Sequence, residues 1–319
     1  MLLCSRRGSI SAVKTLLRGP ILPLALVFVS AWVVALRMGP RTATSSELSP
    51  SSLHPAGRRW NLAWSDEFDG PNGSRPDPSR WQFEVAGNGW GNHELEYYTD
   101  RPENSRVDQG KLIIEARRED YTGKDGVTRQ YTSARLITRS IFSQAYGRFT
   151  ARIKLPRGQG MWPAFWLLGD DIEKVSWPAC GEIDIMENIG KEPASVHGSM
   201  HGPGYSGELD FTSTYKLPGG PKFSDDFHVF AIEWEPNVVR FYTDEYLYAT
   251  FVPVQLPSGK KWVFDHPFFI ILNLAVGGDW PGPPDSTTEF PQQMLVDYVR
   301  VYTEASETEH APSTIHQSH

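Results

Sequence analysis

Three carboxylates stand in the segment Gly181-Glu182-Ile183-Asp184-Ile185-Met186-Glu187-Asn188, inside a run that is otherwise apolar and reads as a buried strand. Ionisable side chains enter such a run only against a desolvation penalty, so their presence points to a task. In a regular strand Glu182 and Asp184 share one face, and Glu187, an odd number of residues further on, falls on the other. A bulge near Ile185 or Met186 returns Glu187 to the first face and lines three acids along one surface. At about 3.3 Å per residue the two glutamates then stand roughly 13 Å apart at Cα, and side chains leaning inward bring the carboxyl groups much closer. Carboxyl groups about 5 to 5.5 Å apart suit glycoside cleavage with retention, one attacking the sugar and one protonating the leaving oxygen. Taken alone, the spacing also fits a solvated strand face or a calcium cluster. Trp162, Trp166 and Trp177 lie shortly upstream. A solvated face has no use for them, whereas aromatic faces stack on sugar rings.

The elements that must hold these residues are short strands. Past Trp60 the sequence alternates with period two between turn residues and shows scarcely any helical periodicity. Phe149, Ala151, Ile153 and Leu155 alternate with Thr150, Arg152 and Lys154. Phe227 to Trp234, Val238 to Thr243 and Tyr246 to Val252 read as a meander, with Glu235-Pro236-Asn237 and Asp244-Glu245 as its turns. Phe268 to Val276 and Met294 to Thr303 complete the clearest strands, and only Pro78 to Phe83 suggests a helical turn. No repeat of 20 to 50 residues is visible, which disfavours a propeller or solenoid. The expected class is all-β, two stacked antiparallel sheets.

The ends of the chain differ from this body. Arg6, Arg7, Lys14 and Arg18 precede an uncharged run from Gly19 to Leu36, closed by Arg37. The charge asymmetry puts the N-terminus inside and the rest outside the cytoplasm. Segment 1–18 thus reads as a basic cytoplasmic segment and 19–37 as a signal anchor or a signal peptide, with the flanking Arg37 favouring an anchor. The Arg6-Arg7 pair lies too far from the apolar run for a twin-arginine signal. Residues 38–57 are rich in Ser, Thr and Pro and read as a tether, 58–303 as the folded domain, and 304–319 as a disordered polar tail. After Ser45 there are 25 basic against 38 acidic residues, a net charge of −13. Such a surface excludes nucleic acid as a partner and favours a soluble monomer; membrane contact is expected through the N-terminal segment alone. Cys4 and Cys180 fall on opposite sides of the apolar run, so no disulfide forms within the domain. Cys180 could face a cleft with Glu182 or be a small buried thiol.

Ordered blocks along the chain carry a resemblance. They are Trp90-Gly91-Asn92-His93-Glu94 with Tyr97-Tyr98-Thr99, Ser133-Ala134-Arg135-Leu136, Gly160 to Leu168, and Trp177-Pro178 ahead of the acidic motif. His197-Gly198, His201 to Tyr205 and Asn273 to Gly282 follow. The sequence resembles the glycoside hydrolase family 16 enzymes, and within them the laminarinase-like endo-β-1,3-glucanases, whose bulged acidic motif has the longer E-x-D-x-x-E spacing found here. The resemblance implies a β-jelly roll with a concave substrate cleft. It implies Glu182 as nucleophile, Asp184 as its assistant and Glu187 as acid/base, with no cofactor for catalysis and a β-glucan as substrate. It also implies that Asn92 and Arg135 bind sugar hydroxyls and that His201 contacts the leaving sugar.

Other residues are weighed on their own patterns. Trp162 and Trp166 share a face, and Trp177 and Trp280 stand near the acids or in a Gly/Pro-rich loop, so all four are candidate sugar platforms beside the alternative of core packing. Asn273 interrupts an apolar strand and either faces the cleft or makes a structural hydrogen bond. Arg135 could instead form an internal ion pair, with Glu94 for instance. His197 and His201 at i, i+4 do not read as a zinc site, since Gly198 opposes a helix between them. Family members often hold a structural calcium ion, and Glu67, Gly110 and Asp297 match it; for Asp297, among apolar neighbours, a salt bridge fits as well. The expected activity is retaining endo-hydrolysis of β-1,3-glucan. The alternatives are another β-glucan or a galactan, transfer to a sugar acceptor, and a binding protein of the same fold, against which the intact acids argue.

Overall fold

The computed structural model describes residues 58–207 and 211–305. The expected segments 1–18, 19–37 and 38–57, and the tail from 306, lie outside the described residues. Among those described, no helix is long and apolar enough to cross a membrane. In chain order the strands are β1 (Trp60–Asp66), β2 (Gln82–Phe83), β3 (Glu96–Tyr98), β4 (Ser105–Asp108), β5 (Lys111–Thr122), β6 (Thr128–Ser133), β7 (Arg135–Ile137), β8 (Gly147–Lys154) and β9 (Met161–Gly169). They continue with β10 (Glu182–Glu187), β11 (Ser195–His201), β12 (Phe211–Lys216), β13 (His228–Glu235), β14 (Val238–Thr243), β15 (Tyr246–Phe251), β16 (Phe268–Val276) and β17 (Gln292–Glu304). The expected meander is β13 to β15. Pro78–Phe83 is no helix: Asp77 accepts the amides of Arg80 and Trp81 in a turn that delivers the chain into β2. A one-turn helix lies instead at Ile172–Val175. Glu304, expected in the tail, closes β17 opposite Trp60.

Two sheets form. One runs β12-β11-β10-β9-β16-β7-β2, the other β15-β14-β13-β8-β17-β5-β6-β3, with β1 added on β17 and β4 on β5. The pairing is antiparallel except between β3 and β6, which run parallel. Both sheets turn apolar side chains toward each other, as the period-two pattern requires: Phe165, Leu167, Ile183, Ile185, Leu272 and Leu274 from one meet Leu112, Ile114, Phe149, Ile232, Val299 and Val301 from the other in a continuous core. β16 is buried along its whole length. Its second face is covered because Phe269 and Ile271 join Ile137, Leu168 and Cys180 in a small separate apolar cluster, where the Cys180 thiol is fully buried.

Candidate active site

The face of the seven-stranded sheet turned away from the main core collects the polar residues. Along β10 the register slips between Asp184 and Glu187 against β11, and between Asp184 and Met186 against β9. This is the bulge that the E-x-D-x-x-E spacing requires, and it puts all three acids on one side. Their cross-strand partners show it: Glu182, Asp184 and Glu187 lie opposite Leu168, Trp166 and Ala164 on β9, and opposite His201, Ser199 and His197 on β11. Gly181 starts the strand with φ of 73°, where a Cβ would fall 2.8 Å from the Phe268 ring, so only glycine admits this entry.

Each glutamate is held by an indole. Trp177 Nε1 donates to Glu182 Oε2 at 2.8 Å, and Trp162 Nε1 donates to Glu187 Oε1 at 2.9 Å. Asp184 is buried, and His201 Nε2 lies 2.9 Å from its Oδ2 and 3.8 Å from Glu182 Oε1. Burial, then the neighbouring Asp184 charge, pushes Glu182 up to about 8, while His201 and the Trp177 N–H act in the opposite direction. The Glu182 and Asp184 carboxyl groups also hydrogen-bond each other. Two carboxyl groups in such contact share a proton, and the pair behaves as one unit. Burial likewise pushes the Cys180 thiol up to about 11, which removes it as a nucleophile and supports the buried-thiol reading.

The tryptophans fall into two positions around the acids. Trp177 is exposed at one end, its ring 6.5 Å from that of His201. Trp162 packs edge-on against Trp280 at 5.6 Å, and Trp280 meets the His197 ring at 4.9 Å. The loop that carries Trp280 depends on Gly278, with φ of 115° and a missing Cβ that would stand 3.1 Å from Asn92 O and 3.3 Å from the Trp162 ring. Trp166 Nε1 donates to Asn273 Oδ1 at 2.7 Å. The Arg135 guanidinium lies between two indoles, 4.6 Å from Trp90 and 4.8 Å from Trp166. Its ion pair is with Glu84, not with Glu94. Asn92, at the rim, donates to Glu94 Oε1 at 3.3 Å. The structure therefore gathers Trp162, Trp166, Trp177, His201, Asn273, Trp280 and Arg135 about the acids, with Asn92 attached through Glu94.

Several members of this surface were not singled out from the sequence. Trp90 flanks Arg135, Glu84 neutralises it, and Glu94, Glu96 and Tyr98 stand beneath Asn273. The alternation Glu94-x-Glu96-x-Tyr98 in an otherwise hydrophobic segment was the available signal. His197, opposite Glu187, is buried with its Nδ1 on Thr214 Oγ1 at 2.9 Å and shares no ligand geometry with His201.

Among the described residues, the ligating groups that converge are those of Glu182, Asp184 and His201, within 4.8 Å of one another. The residues expected around calcium are spread over arginine pairs. Glu67 grips Arg300 through both oxygens at 2.9 and 2.7 Å, Asp297 Oδ2 meets Arg152 at 2.7 Å at a bulge of β17, and Gly110 occupies the turn between β4 and β5. Since calcium takes six to eight oxygens, these side chains alone do not make its cage, and main-chain oxygens would have to supply the remainder.

The sequence profile of the glycosyl hydrolases family 16 matches residues 90–300. The chain is 48% identical over 251 residues to a beta-glucanase of Rhodothermus marinus, a match covering 76% of this chain and 85% of that protein. Its fold matches the catalytic domain of an endo-1,3-beta-glucanase (laminarinase) of Thermotoga petrophila RKU-1 with a TM-score of 0.74 and 50% identity, over 78% of this chain and all of the other. It also matches the endo-beta-1,3-glucanase of Pyrococcus furiosus with a TM-score of 0.75 and 50% identity, covering 79% and 97% of the two chains.

Proposed function

This chain belongs to glycosyl hydrolase family 16, and on that premise we propose that it is an endo-acting, retaining hydrolase of β-1,3-linked glucan. The observation that carries the reading is the bulge of β10, which turns Glu182, Asp184 and Glu187 onto one face beside four tryptophans. Glu182 attacks the anomeric carbon and forms a glycosyl–enzyme ester, while Glu187 gives its proton to the departing glycosidic oxygen. Glu187 then takes a proton from water, which attacks the ester and releases the sugar with its configuration retained. In the resting dyad the shared proton stays with Glu182, since Asp184 faces the His201 Nε2. For attack, that proton moves to Asp184 as the negative charge gathers on Glu182.

Trp166 and Trp162 offer ring faces for sugar stacking, Trp177 and His201 flank the opposite end, and Arg135, Asn273 and Asn92 offer hydrogen-bonding groups. The charge asymmetry about residues 19–36 supports placing the domain outside the cytoplasm, held there by the N-terminal segment or released from it, and the acidic surface supports a monomer. Calcium remains a proposal about stability, resting on main-chain oxygens near Glu67, Gly110 and Asp297; a melting temperature unmoved by chelator removes it.

The test is to incubate the chain with laminarin, mixed-linkage glucan and agarose in parallel, with Glu182→Gln as control. Oligosaccharides from laminarin that vanish in the variant are expected. Cleavage of agarose alone would replace the substrate with a galactan, and laminarin binding without cleavage would make the protein a recognition module.

A further inference from the structure

Behind the sugar platform lies a second acid pair that the hydrolytic mechanism does not use. Glu96 is fully buried, and its Oε2 accepts the Val276 amide at 2.6 Å. No N–H or O–H donor among the described residues reaches its other oxygen. The Glu96 carboxyl has the carboxyl of Glu94, itself buried, as its neighbour within hydrogen-bonding reach. Carboxyl oxygens have no hydrogen to donate unless one group is protonated, so contact between them in a dry site requires a proton between them.

The proton can be assigned from the other partners. Glu94 accepts the Tyr98 O–H at 3.0 Å and the Asn92 amide at 3.3 Å, and the Arg135 charge acts on it from β7, with Glu84 beyond. Glu96 has the Val276 amide and its own backbone N–H besides Glu94. Two side-chain donors and the nearby Arg135 cation favour charge on Glu94, while complete burial and then the Glu94 charge oppose ionisation of Glu96, so the proton belongs to Glu96.

We propose that Glu94 and Glu96 are positioning residues, a carboxylate–carboxyl pair whose single proton sets the hydrogen-bond direction of a chain ending at the Trp166 indole. With Glu94 charged, the Tyr98 hydroxyl points its hydrogen toward Glu94 and presents a lone pair outward. Asn273 must then turn its NH2 to Tyr98, as it does at 3.1 Å, and its carbonyl to Trp166 Nε1, as it does at 2.7 Å. An amide that flips has no acceptor for the Trp166 N–H, so the ring loses its tether beside Arg135. The inference rests on the reading of Trp166 as a sugar platform. Burial favours the protonated form of Glu96 strongly, consistent with a pair that keeps its proton through neutral pH.

The experiment uses the full chain carrying Glu182→Gln, which removes turnover, and measures affinity for a β-1,3-gluco-oligosaccharide by calorimetry from pH 6 to pH 10. Affinity is expected to fall about fivefold or more at the alkaline end, where the pair loses its proton and repulsion between two buried anions draws Glu94 off the Tyr98 hydroxyl that its charge orients. Adding Glu96→Gln, which keeps an N–H toward Glu94 but cannot lose it, is expected to flatten the profile to within about twofold, whereas Glu96→Leu lowers affinity at every pH. Retention of the alkaline fall in the Glu96→Gln protein overturns the proposal. The proton itself is read without sugar, by difference infrared spectroscopy at neutral pH: the spectrum of the parent minus that of Glu96→Gln is expected to show one protonated-carboxyl band beyond those of the catalytic acids, which cancel, and the absence of that difference band overturns the proposal as well. Absence of binding at all pH values with that difference band still present would sink the glucan reading and leave the proton pair standing.

Discussion

Buried acids occur in two surroundings, the outer face of the ten-stranded sheet and the neighbourhood of the candidate site, and the two treat them in opposite ways. On the outer face of the ten-stranded sheet, Glu115 lies between Arg106, at 2.9 Å, and Arg117, with Gln293 adding a donor at 2.8 Å. Glu233 is held there by Arg148 at 2.8 Å and by the Tyr242 hydroxyl at 2.9 Å. Around the candidate site, by contrast, Glu182 meets Asp184 on β10, and Glu94 meets Glu96 at β3, the strand at the edge of the ten-stranded sheet whose Tyr98 reaches Asn273. Acids neutralised by arginine are fixed in charge and serve structure. Acids set against one another hold protons that can move, which is a poor way to stabilise a sheet and a good way to run acid–base chemistry.

The largest expected effects are catalytic and lie wholly on the concave side. Glu182→Gln should lower the turnover of laminarin on the order of 10³-fold or more. Glu187→Gln should lose a comparable factor on polysaccharide, yet keep most of its kcat/KM, which reports the first step, on an aryl β-glucoside whose leaving group needs no protonation. Equal loss on both substrates would break the assignment of Glu187 as the acid. The converse change belongs to the outer face: Glu233→Gln should destabilise the fold by about 2 to 4 kcal/mol, by leaving Arg148 without its counter-charge, while kcat stays within about twofold at a temperature where the protein is folded. Denaturant unfolding beside initial rates checks it, and a kcat that falls with stability retained would erase the contrast between the faces.

How far the site could be read from sequence follows the range of the interaction involved. The bulge was legible because a period of two makes an odd spacing between Asp184 and Glu187 irreconcilable with one face, so the chain itself declares the irregularity. The apolar run of β16 gave its limits directly, and the meander was within one residue at each end. Arg135's true partner was not legible. Glu84 reaches it because β2 is laid against β7, with Phe83 opposite Leu136 and the Glu84 amide bonded to the Arg135 carbonyl. A two-residue strand has too little pattern to announce that pairing. Pro78–Phe83 failed for a related reason: Asp77 turns the chain as a helix start would, and Trp81 then leaves the turn to bury its ring and donate Nε1 to Asp66 at 2.8 Å. The Glu94–Glu96 pair was visible as alternation, but only the fold shows that no cation sits between the two carboxyl groups.

The finest test of the contrast is a pH dependence. Burial and the Asp184 charge raise Glu182 to about 8 in the folded chain, from an ordinary value near 4.5 that applies once the chain unfolds. Between those two values the folded protein holds a proton that the unfolded protein has released. The unfolded state binds fewer protons there, so stability falls as pH rises through that window and changes little below it. Gln at this position cannot ionise and escapes the penalty, though it loses the shared proton with Asp184 at any pH. The melting temperature of Glu182→Gln minus that of the parent should therefore grow from pH 5 to pH 8, by about 2 to 5 °C for a domain of this size. The side chain keeps 18% of its surface open, which holds the effect to the low end of what burial could give. The other acid pair is present in both proteins and cancels in the difference, so a difference that stays flat with pH would mean that Glu182 is already ionised at neutral pH, and that the resting proton does not belong to it.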